Sequence, residues 1–512
     1  MTRNGAARGM QPDHAIAHEQ ALYRAQSVRA LERAAIDDLG IPGIDLMERA
    51  GAAAFAALAA RWPAPARIAV LCGPGNNGGD GFVVARLAAA AGRTVGCFVL
   101  GDPQRLRADA ATAALRLCDA GVRLQALRDF AASAYEVVVD ALFGIGLARA
   151  LDGEAAALVR SLNESPCGRV ALDIPSGLHA DTGNATGTAL RADLTVTFIA
   201  LKRGLYTGDA RDLCGEIVLA TLDLPAAAYA AVPADARRLS LARLGRPLGT
   251  RARRAHKGHF GHVLVIGGDH GFAGAARLCA EAAARSGAGL TSVATRAAHA
   301  AALVATRPEL MVRAVEGAGD LDALLDAASV VAIGPGLGRG AWGRALLARV
   351  LAASTPRVLD ADALNLLAAD DALGALLASA PTVLTPHPGE AARLLGCSAA
   401  QVEADRFAAA QALCTALGCT VLLKGAGSVV HSQGALAVVI EGGNPGMASG
   451  GMGDVLTGVV AALLAQGLNP HQAGAGAGTV HAAAADAAAA DGERGLLASD
   501  LYPHLRRLLS AL

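Results

Sequence analysis

The stretch Asn444-Pro445-Gly446-Met447-Ala448-Ser449-Gly450-Gly451-Met452-Gly453-Asp454-Val455-Leu456-Thr457-Gly458 joins a glycine-rich turn to the start of a helix. Gly446, Gly450, Gly451 and Gly453 allow the backbone to take positive φ and to pass close to a ligand. Met452, Val455, Leu456, Val459, Val460, Leu463 and Leu464 recur at helical spacing, which predicts the apolar face of a buried helix. Free N–H groups at a helix N-terminus led by glycines suit an anion. Asp454 falls in that first turn, where two readings are open. It is structural as a partner of the helix dipole; beside a bound phosphate it is a base.

Outward from this stretch, short apolar runs alternate with helical ones. Strands are predicted at 262–266, 290–294, 330–333, 358–360, 382–384 and 420–423, with an antiparallel hairpin at 429–431 and 435–440. Polar or glycine-rich turns follow: Gly267-Gly268-Asp269, Gly334-Pro335-Gly336-Leu337-Gly338, Asp360-Ala361-Asp362, Thr385-Pro386-His387-Pro388-Gly389-Glu390 and Lys424-Gly425-Ala426-Gly427-Ser428. In an open parallel sheet the ligand crevice lies at the carboxyl ends of the strands, so these turns should converge. None fits the pattern of a P-loop. Singly, His387 also suits a structural turn between prolines, and Lys424 suits a snorkelling side chain.

The first part of the chain alternates in the same way without repeating the sequence. Helices are predicted at 27–39 and 45–62, N-capped by Ser27 and Asp45, and at 82–91, 106–120 and 153–162. Strands are predicted at 67–72, 94–100, 136–142, 169–174, 194–199 and 216–222, giving an α/β fold with a mostly parallel sheet covered on both faces. Gly73-Pro74-Gly75-Asn76-Asn77-Gly78-Gly79-Asp80-Gly81 satisfies the G-x-G-x-x-G fingerprint between strand and helix. Asp80 argues against a hydride-transfer domain, because its charge would repel a pyrophosphate at the helix N-terminus. The alternative is a site where Asn76, Asn77 and Asp80 face a polar ligand or a cation. Asp140 and Asp173 each stand at a further strand end. One such acid fits a helix cap; three polar strand ends point to a crevice.

Composition excludes several classes. The 512 residues carry 45 basic and 45 acidic side chains and only 3% aromatics, so no nucleic-acid or membrane partner is expected through bulk charge or base stacking. The alanine-rich tract 473–490 is broken by His481 and Asp486 and reads as a packed helix rather than a membrane span. Arg3, Arg8, Asp13 and Glu19 leave the N-terminus without the apolar core of a secretory signal. Nine scattered cysteines suit reduced thiols and a cytoplasmic location. The expected organisation is a tail over 1–22, a domain over 23–230, a proline- and arginine-bearing linker over 231–255 and a domain over 256–512.

The 76–81 loop, the Asp140 turn, the Asp173-Ile174-Pro175-Ser176-Gly177 segment and the Leu46-Met47-Glu48-Arg49-Ala50-Gly51 helix resemble the NAD(P)H-hydrate epimerase family over about 23–224. The resemblance implies a Rossmann-like three-layer α/β/α domain. It implies that Asn76, Asn77, Gly78, Gly79, Asp80, Gly144, Ile145, Gly146, Leu147, Ala148, Arg149 and Ala150 cradle a nicotinamide dinucleotide hydrated at C6, with Asp173 catalytic at the reacting ring. It also implies a potassium ion held partly by Asn77, Asp140 and Ser176.

From about 256 onward the opening stretch and its companion turns resemble the ADP-dependent NAD(P)H-hydrate dehydratase family of the ribokinase-like superfamily. That implies a second α/β/α domain in which Lys424, Gly425, Ala426, Gly427, Ser428 and Gly453 contact the adenine nucleotide. Ala275, Gly336, His387 and Asp454 would contact the hydrate, with Asp454 as catalytic base. Magnesium is expected with ADP, near Asp360, Asp362 or Glu390 through water.

Together the resemblances imply a bifunctional repair enzyme that interconverts the R and S hydrates of NADH and NADPH (NADHX and NADPHX). It would then dehydrate the S form with ADP, giving AMP and phosphate. A homo-oligomer is the expected assembly. The alternative is a ribokinase-like small-molecule kinase fused to a Rossmann-like regulatory or binding domain.

Overall fold

The alternating apolar runs assemble into two sheets in the computed structural model, which describes residues 20–64, 67–147, 149–239, 241, 244 and 248–511. Residues 1–19 of the expected tail, and Ala148 of the expected hydrate cradle, lie outside the described residues.

The seven-stranded sheet runs in the order Leu124–Ala126, Thr94–Val99, Arg67–Cys72, Val137–Ala141, Gly168–Leu172, Leu194–Phe198 and Glu216–Ala220, with every neighbouring pair parallel. Its middle strands are buried almost throughout, and apolar except for Arg67 and Asp140, because helices cover both faces. The helix after Cys72 spans Asn76–Ala90, six residues longer at its start than expected, so the glycine-rich loop is itself helical. Glycine's low helix propensity is overridden by packing. A Cβ on Gly78 would sit 2.0 Å from the Gly73 carbonyl, and one on Gly79 would sit 2.5 Å from Met47 Cε. The expected N-caps also differ. The first two helices span Ala25–Arg33, continuing as a π-helix over Ala34–Asp38, and Gly43–Arg61. Ser27 and Asp45 therefore lie inside them, and a distant residue does capping work: Asp181 accepts the Ala25 N–H at 2.6 Å.

The second sheet has twelve strands. Met311–Ala314, Leu290–Thr295, His262–Ile266, Val330–Ile333, Arg357–Leu359, Thr382–Leu384 and Thr420–Leu423 are parallel, and the expected hairpin follows as Ser428–His431 and Ala437–Ile440. The sheet does not stop there. Ala236–Arg238 pairs parallel with Ala437–Ile440, Ala21–Tyr23 pairs antiparallel with Ala236–Arg238, and Leu201–Lys202 pairs parallel with Ala21–Tyr23. Three short strands from the N-terminal half thus extend the C-terminal sheet, where two separate domains and a plain connector were expected. Strands of two or three residues are too short to show a period. Leu22, Leu201, Leu205 and Tyr206 share one apolar cluster with Leu264, Ile333 and Val439.

The helix predicted from the opening stretch forms over Met452–Ala465 and buries more than one face, because it lies between the sheet and the helices Ala273–Arg285 and Pro470–Ala488. A Cβ on Gly458 would meet the Cys279 carbonyl at 2.1 Å, so only glycine permits this approach. Arg357 is fully buried and donates to the carbonyls of Val350, Ala353 and Leu377, each at 3.0 Å, which fixes the strand that delivers Asp360. No helix among the described residues is long and apolar enough to cross a membrane. Because a shared apolar cluster and the edge of the twelve-stranded sheet join the two halves, calorimetry should show a single cooperative unfolding transition; two resolved transitions would contradict this.

Candidate active sites

The carboxyl ends of the seven-stranded sheet open into a cavity of about 470 Å³. Asn76, Asn77, Asp80, Gly144, Ile145, Gly146, Leu147, Arg149 and Asp173 line it, as expected from sequence. Gly78, Gly79 and Ala150 do not. The two glycines serve helix packing instead.

Asp173 holds φ at +66°, a strained conformation for a residue with a side chain. Its carboxylate accepts from the backbone N–H of Ile145 at 3.3 Å and from the ammonium of Lys202. Lys202 is fully buried, and its remaining protons go to Thr197 Oγ1 at 2.9 Å and the Phe198 carbonyl at 2.7 Å. Every donor of this buried charge is therefore used. Sequence reasoning overlooked Lys202; its one signal was a lysine closing the apolar run Phe198-Ile199-Ala200-Leu201. Glu32, also on the cavity wall, was overlooked too.

Asp80 corrects an expectation. Burial, then the neighbouring Asp173 and Glu32, hold its carboxyl well above the usual carboxylate range. Its charged form is disfavoured there, which weakens the repulsion of a pyrophosphate that argued against a hydride-transfer domain.

Beside this cavity lies an oxygen-rich cluster. Asp140 is buried and accepts from Ser176 Oγ at 2.7 Å, Ser176 N at 2.8 Å and Leu142 N at 3.1 Å. Burial raises its carboxyl to about 6 despite those donors. The side-chain oxygen and nitrogen of Asn77 are buried without a hydrogen-bond partner. An orphaned amide oxygen, one carboxylate and a hydroxyl fit a hard monovalent cation.

The second site lies where the C-terminal turns meet the helix Met452–Ala465. Gly451, with φ at +92°, turns the chain into that helix and Asp454 occupies its first turn. Burial, then Asp360, push the Asp454 carboxyl up to about 7. Asp360, 1% exposed, accepts from Lys424 Nζ at 2.7 Å and from Thr457 Oγ1 at 2.8 Å. Lys424 lies beside Gly453, where a Cβ would be 3.2 Å from Nζ and 3.5 Å from Asp360 Oδ2. Thr457 was missed because a threonine at helical spacing gives no signal of its own.

His387 N-caps the helix Pro388–Leu395, accepting the Gly389 N–H at 3.0 Å, while Glu390 accepts the His387 N–H at 2.8 Å. Burial, then Lys424, lower the His387 pKa, which favours a neutral imidazole. The structural reading of His387 thus holds without removing it from the site. Burial raises Glu390 to about 7. Ala275 and Gly336 also meet: a Cβ on Gly336 would touch Ala275 Cβ at 3.3 Å. The turn 424–428 is tied to itself by Ser428 Oγ, 3.2 Å from Gly425 N and 3.1 Å from Gly425 O. Asp362 accepts from Gly338 N at 2.9 Å, and no cluster of three or more His, Cys, Asp or Glu suited to a metal occurs among the described residues.

Comparison with known proteins matches residues 263–507 to a family described as NAD(P)H-hydrate dehydratase, and residues 43–204 to one described as YjeF-related protein N-terminus. Over 496 residues the chain is 47% identical to a bifunctional NAD(P)H-hydrate repair enzyme of Coxiella burnetii, covering 96% of this chain and 99% of the relative. It is 44% identical to the Escherichia coli enzyme of the same description, covering 96% and 94%. A solved ADP/ATP-dependent NAD(P)H-hydrate dehydratase of Bacillus subtilis, co-crystallised with ATP and Mg2+, is 27% identical, with a TM-score of 0.48, covering 54% of this chain and 99% of that one.

The Lys202 pairing has a direct test in urea unfolding. Lys202→Met should cost about 3–5 kcal/mol by leaving Asp173 buried without its partner. The double variant Lys202→Met with Asp173→Asn should recover most of that loss.

Proposed function

Because the chain belongs to the family of bifunctional NAD(P)H-hydrate repair enzymes, we propose that its two sites act in turn on nicotinamide dinucleotides hydrated at C6 of the reduced ring. The first, in the domain over 23–230, epimerises R and S hydrates. The second, in the domain over 256–512, dehydrates the S form at the expense of ADP, giving AMP and phosphate and restoring NADH or NADPH. The observation that carries this reading is Asp454: a carboxyl raised to about 7, in the first turn of a glycine-led helix, beside the Lys424–Asp360 pair.

In the second site hydroxide is a poor leaving group and phosphate a good one. Asp454 takes the proton from the C6 hydroxyl, whose oxygen attacks the terminal phosphoryl group of ADP. Backbone N–H groups over 450–453 and the ammonium of Lys424 face the charge that develops, and cost no reorganisation because the fold already holds them. Asp360 keeps Lys424 in place, and Thr457 keeps Asp360 in place. Neutral His387, with Ala275 and Gly336, contacts the hydrate; Gly425, Ala426, Gly427, Ser428 and Gly453 contact the nucleotide. The ring nitrogen then expels phosphate. Magnesium bound with ADP would neutralise phosphate charge, with Asp362 and Glu390 reaching it through water.

In the first site the hydroxyl leaves and returns through a cationic ring. Asp173, oriented by Lys202 and Ile145, faces that charge, and Asp80 in its neutral form carries a proton for the departing hydroxyl. A potassium ion held by Asn77, Asp140 and Ser176 would supply fixed positive charge for the dinucleotide phosphates. The free thiols support a reducing cytoplasmic location. Assembly as a homo-oligomer belongs to the same reading.

Recovery of reduced-nicotinamide absorbance from hydrated NADH tests the whole assignment, and no recovery with either ADP or ATP would refute it. ADP should be used in preference to ATP. Asp454→Asn should slow dehydration by about 10²–10⁴-fold while epimerisation continues. Asp173→Ala should slow epimerisation and spare dehydration of the S form.

Dehydration should rise with pH up to about 7 and level off above it, as Asp454 loses its proton. Stability should move the other way. The folded protein holds that proton more tightly than the unfolded chain, whose carboxyl titrates near about 3.9, so stability is lost as pH rises from there through 7. Asp454→Asn should accordingly raise the melting temperature more at pH 8 than at pH 4.

A further inference from the structure

The turn 424–428 rests on the N-terminal half of the chain. Gly208 donates its backbone N–H to the Ala426 carbonyl at 3.0 Å. Thr207 Oγ1 lies 2.9 Å from the Gly427 carbonyl and 3.2 Å from that of Ala426. Thr207 is fully buried, so its single hydroxyl proton has no water to turn to, and the nearer Gly427 carbonyl is its main acceptor. Gly427 has φ at +67°, and a Cβ there would sit 1.9 Å from the Tyr206 carbonyl. Two backbones therefore touch with no side chain between them. The supporting segment is itself clamped. Arg203 stacks on Phe407 at 4.2 Å, and Tyr206 lies under Arg238 at 4.8 Å, whose guanidinium pairs with Glu441 at 2.6 Å.

We propose that Thr207 is a positioning residue for the adenine nucleotide, holding the turn 424–428 in its binding form, so that the N-terminal half completes the nucleotide site of the C-terminal half. This rests on the reading of 424–428 as the nucleotide turn. A trans peptide holds C=O and N–H on opposite sides. Fixing the carbonyls of Ala426 and Gly427 on Thr207 and Gly208 therefore fixes the N–H groups of Gly427 and Ser428 pointing away from the N-terminal half. Within the turn, Ser428 Oγ reaches only Gly425 and restrains neither of those two peptides.

Calorimetric titration of the full chain with magnesium-ADP tests this in wild type, Thr207→Val and Thr207→Ser. Valine keeps the shape and loses the donor. Thr207→Val should weaken ADP by about tenfold, the effect of leaving a buried carbonyl without its partner. Turnover at saturating ADP and the epimerisation rate should stay at wild-type values, and Thr207→Ser should restore affinity. Unchanged ADP affinity in a Thr207→Val protein that melts like wild type overturns the proposal.

Ser428→Ala, run alongside, separates two failures. If it weakens ADP while Thr207→Val does not, the positioning role falls and the nucleotide turn stands. If neither weakens ADP, the nucleotide turn falls and takes the proposal with it. Hydrogen exchange on the wild type needs no variant to fold. Saturating ADP should protect amides of 206–208 as well as 424–428, and protection confined to 424–428 overturns the proposal.

Discussion

Lys202 has its backbone in one sheet and its ammonium in the site built on the other. Through Leu201–Lys202 it forms the last strand of the twelve-stranded sheet, while its Nζ holds Asp173 at the end of the seven-stranded one. A fully buried ammonium is costly unless each proton has an acceptor, and Asp173, Thr197 and Phe198 supply three. Those acceptors and the strand pairing must form together. The position of the first site is thereby tied to the edge of the second domain's sheet.

The two sites use one electrostatic design with different partners. In each, one carboxylate is committed to a lysine: Asp173 to the fully buried Lys202, and Asp360 to the half-buried Lys424. In each, a second carboxyl stands nearby without a cation of its own, and burial raises it: Asp80 in the first site, Asp454 in the second. The paired acid is a fixed charge. The unpaired one is pushed toward its protonated form, and Asp454, raised to about 7, can exchange its proton as acid–base chemistry requires.

Much of this was legible in the residues. Strand-end glycines and acids pointed to both candidate sites because a parallel sheet delivers its loops to one edge, and the helical spacing from Met452 to Leu464 marked the helix that carries Asp454. What escaped depends on distance in space. Leu201–Lys202 and Ala21–Tyr23 are too short to show a period, so their lysine looked like the end of an apolar run. Asp80 was misjudged because its residue type shows a charge, whereas burial beside Asp173 and Glu32 suppresses it. The segment 76–81 read as a loop because its glycines were assigned to ligand approach. They instead let the helix pack against Gly73 and Met47.

The edge strands also set an order of events during synthesis. Ala21–Tyr23 leaves the ribosome early, but its partner Ala236–Arg238 lies over two hundred residues later and pairs in turn with Ala437–Ile440. At about 5–20 residues per second, the first strand waits on the order of ten seconds or more for its neighbour, and that neighbour waits about as long again. During the second wait the nascent N-terminal half carries an unpaired strand edge and incompletely covered Leu201, Leu205 and Tyr206, the kind of surface that chaperones bind. The shared sheet that joins the two sites in the finished protein therefore makes the growing chain depend on being completed.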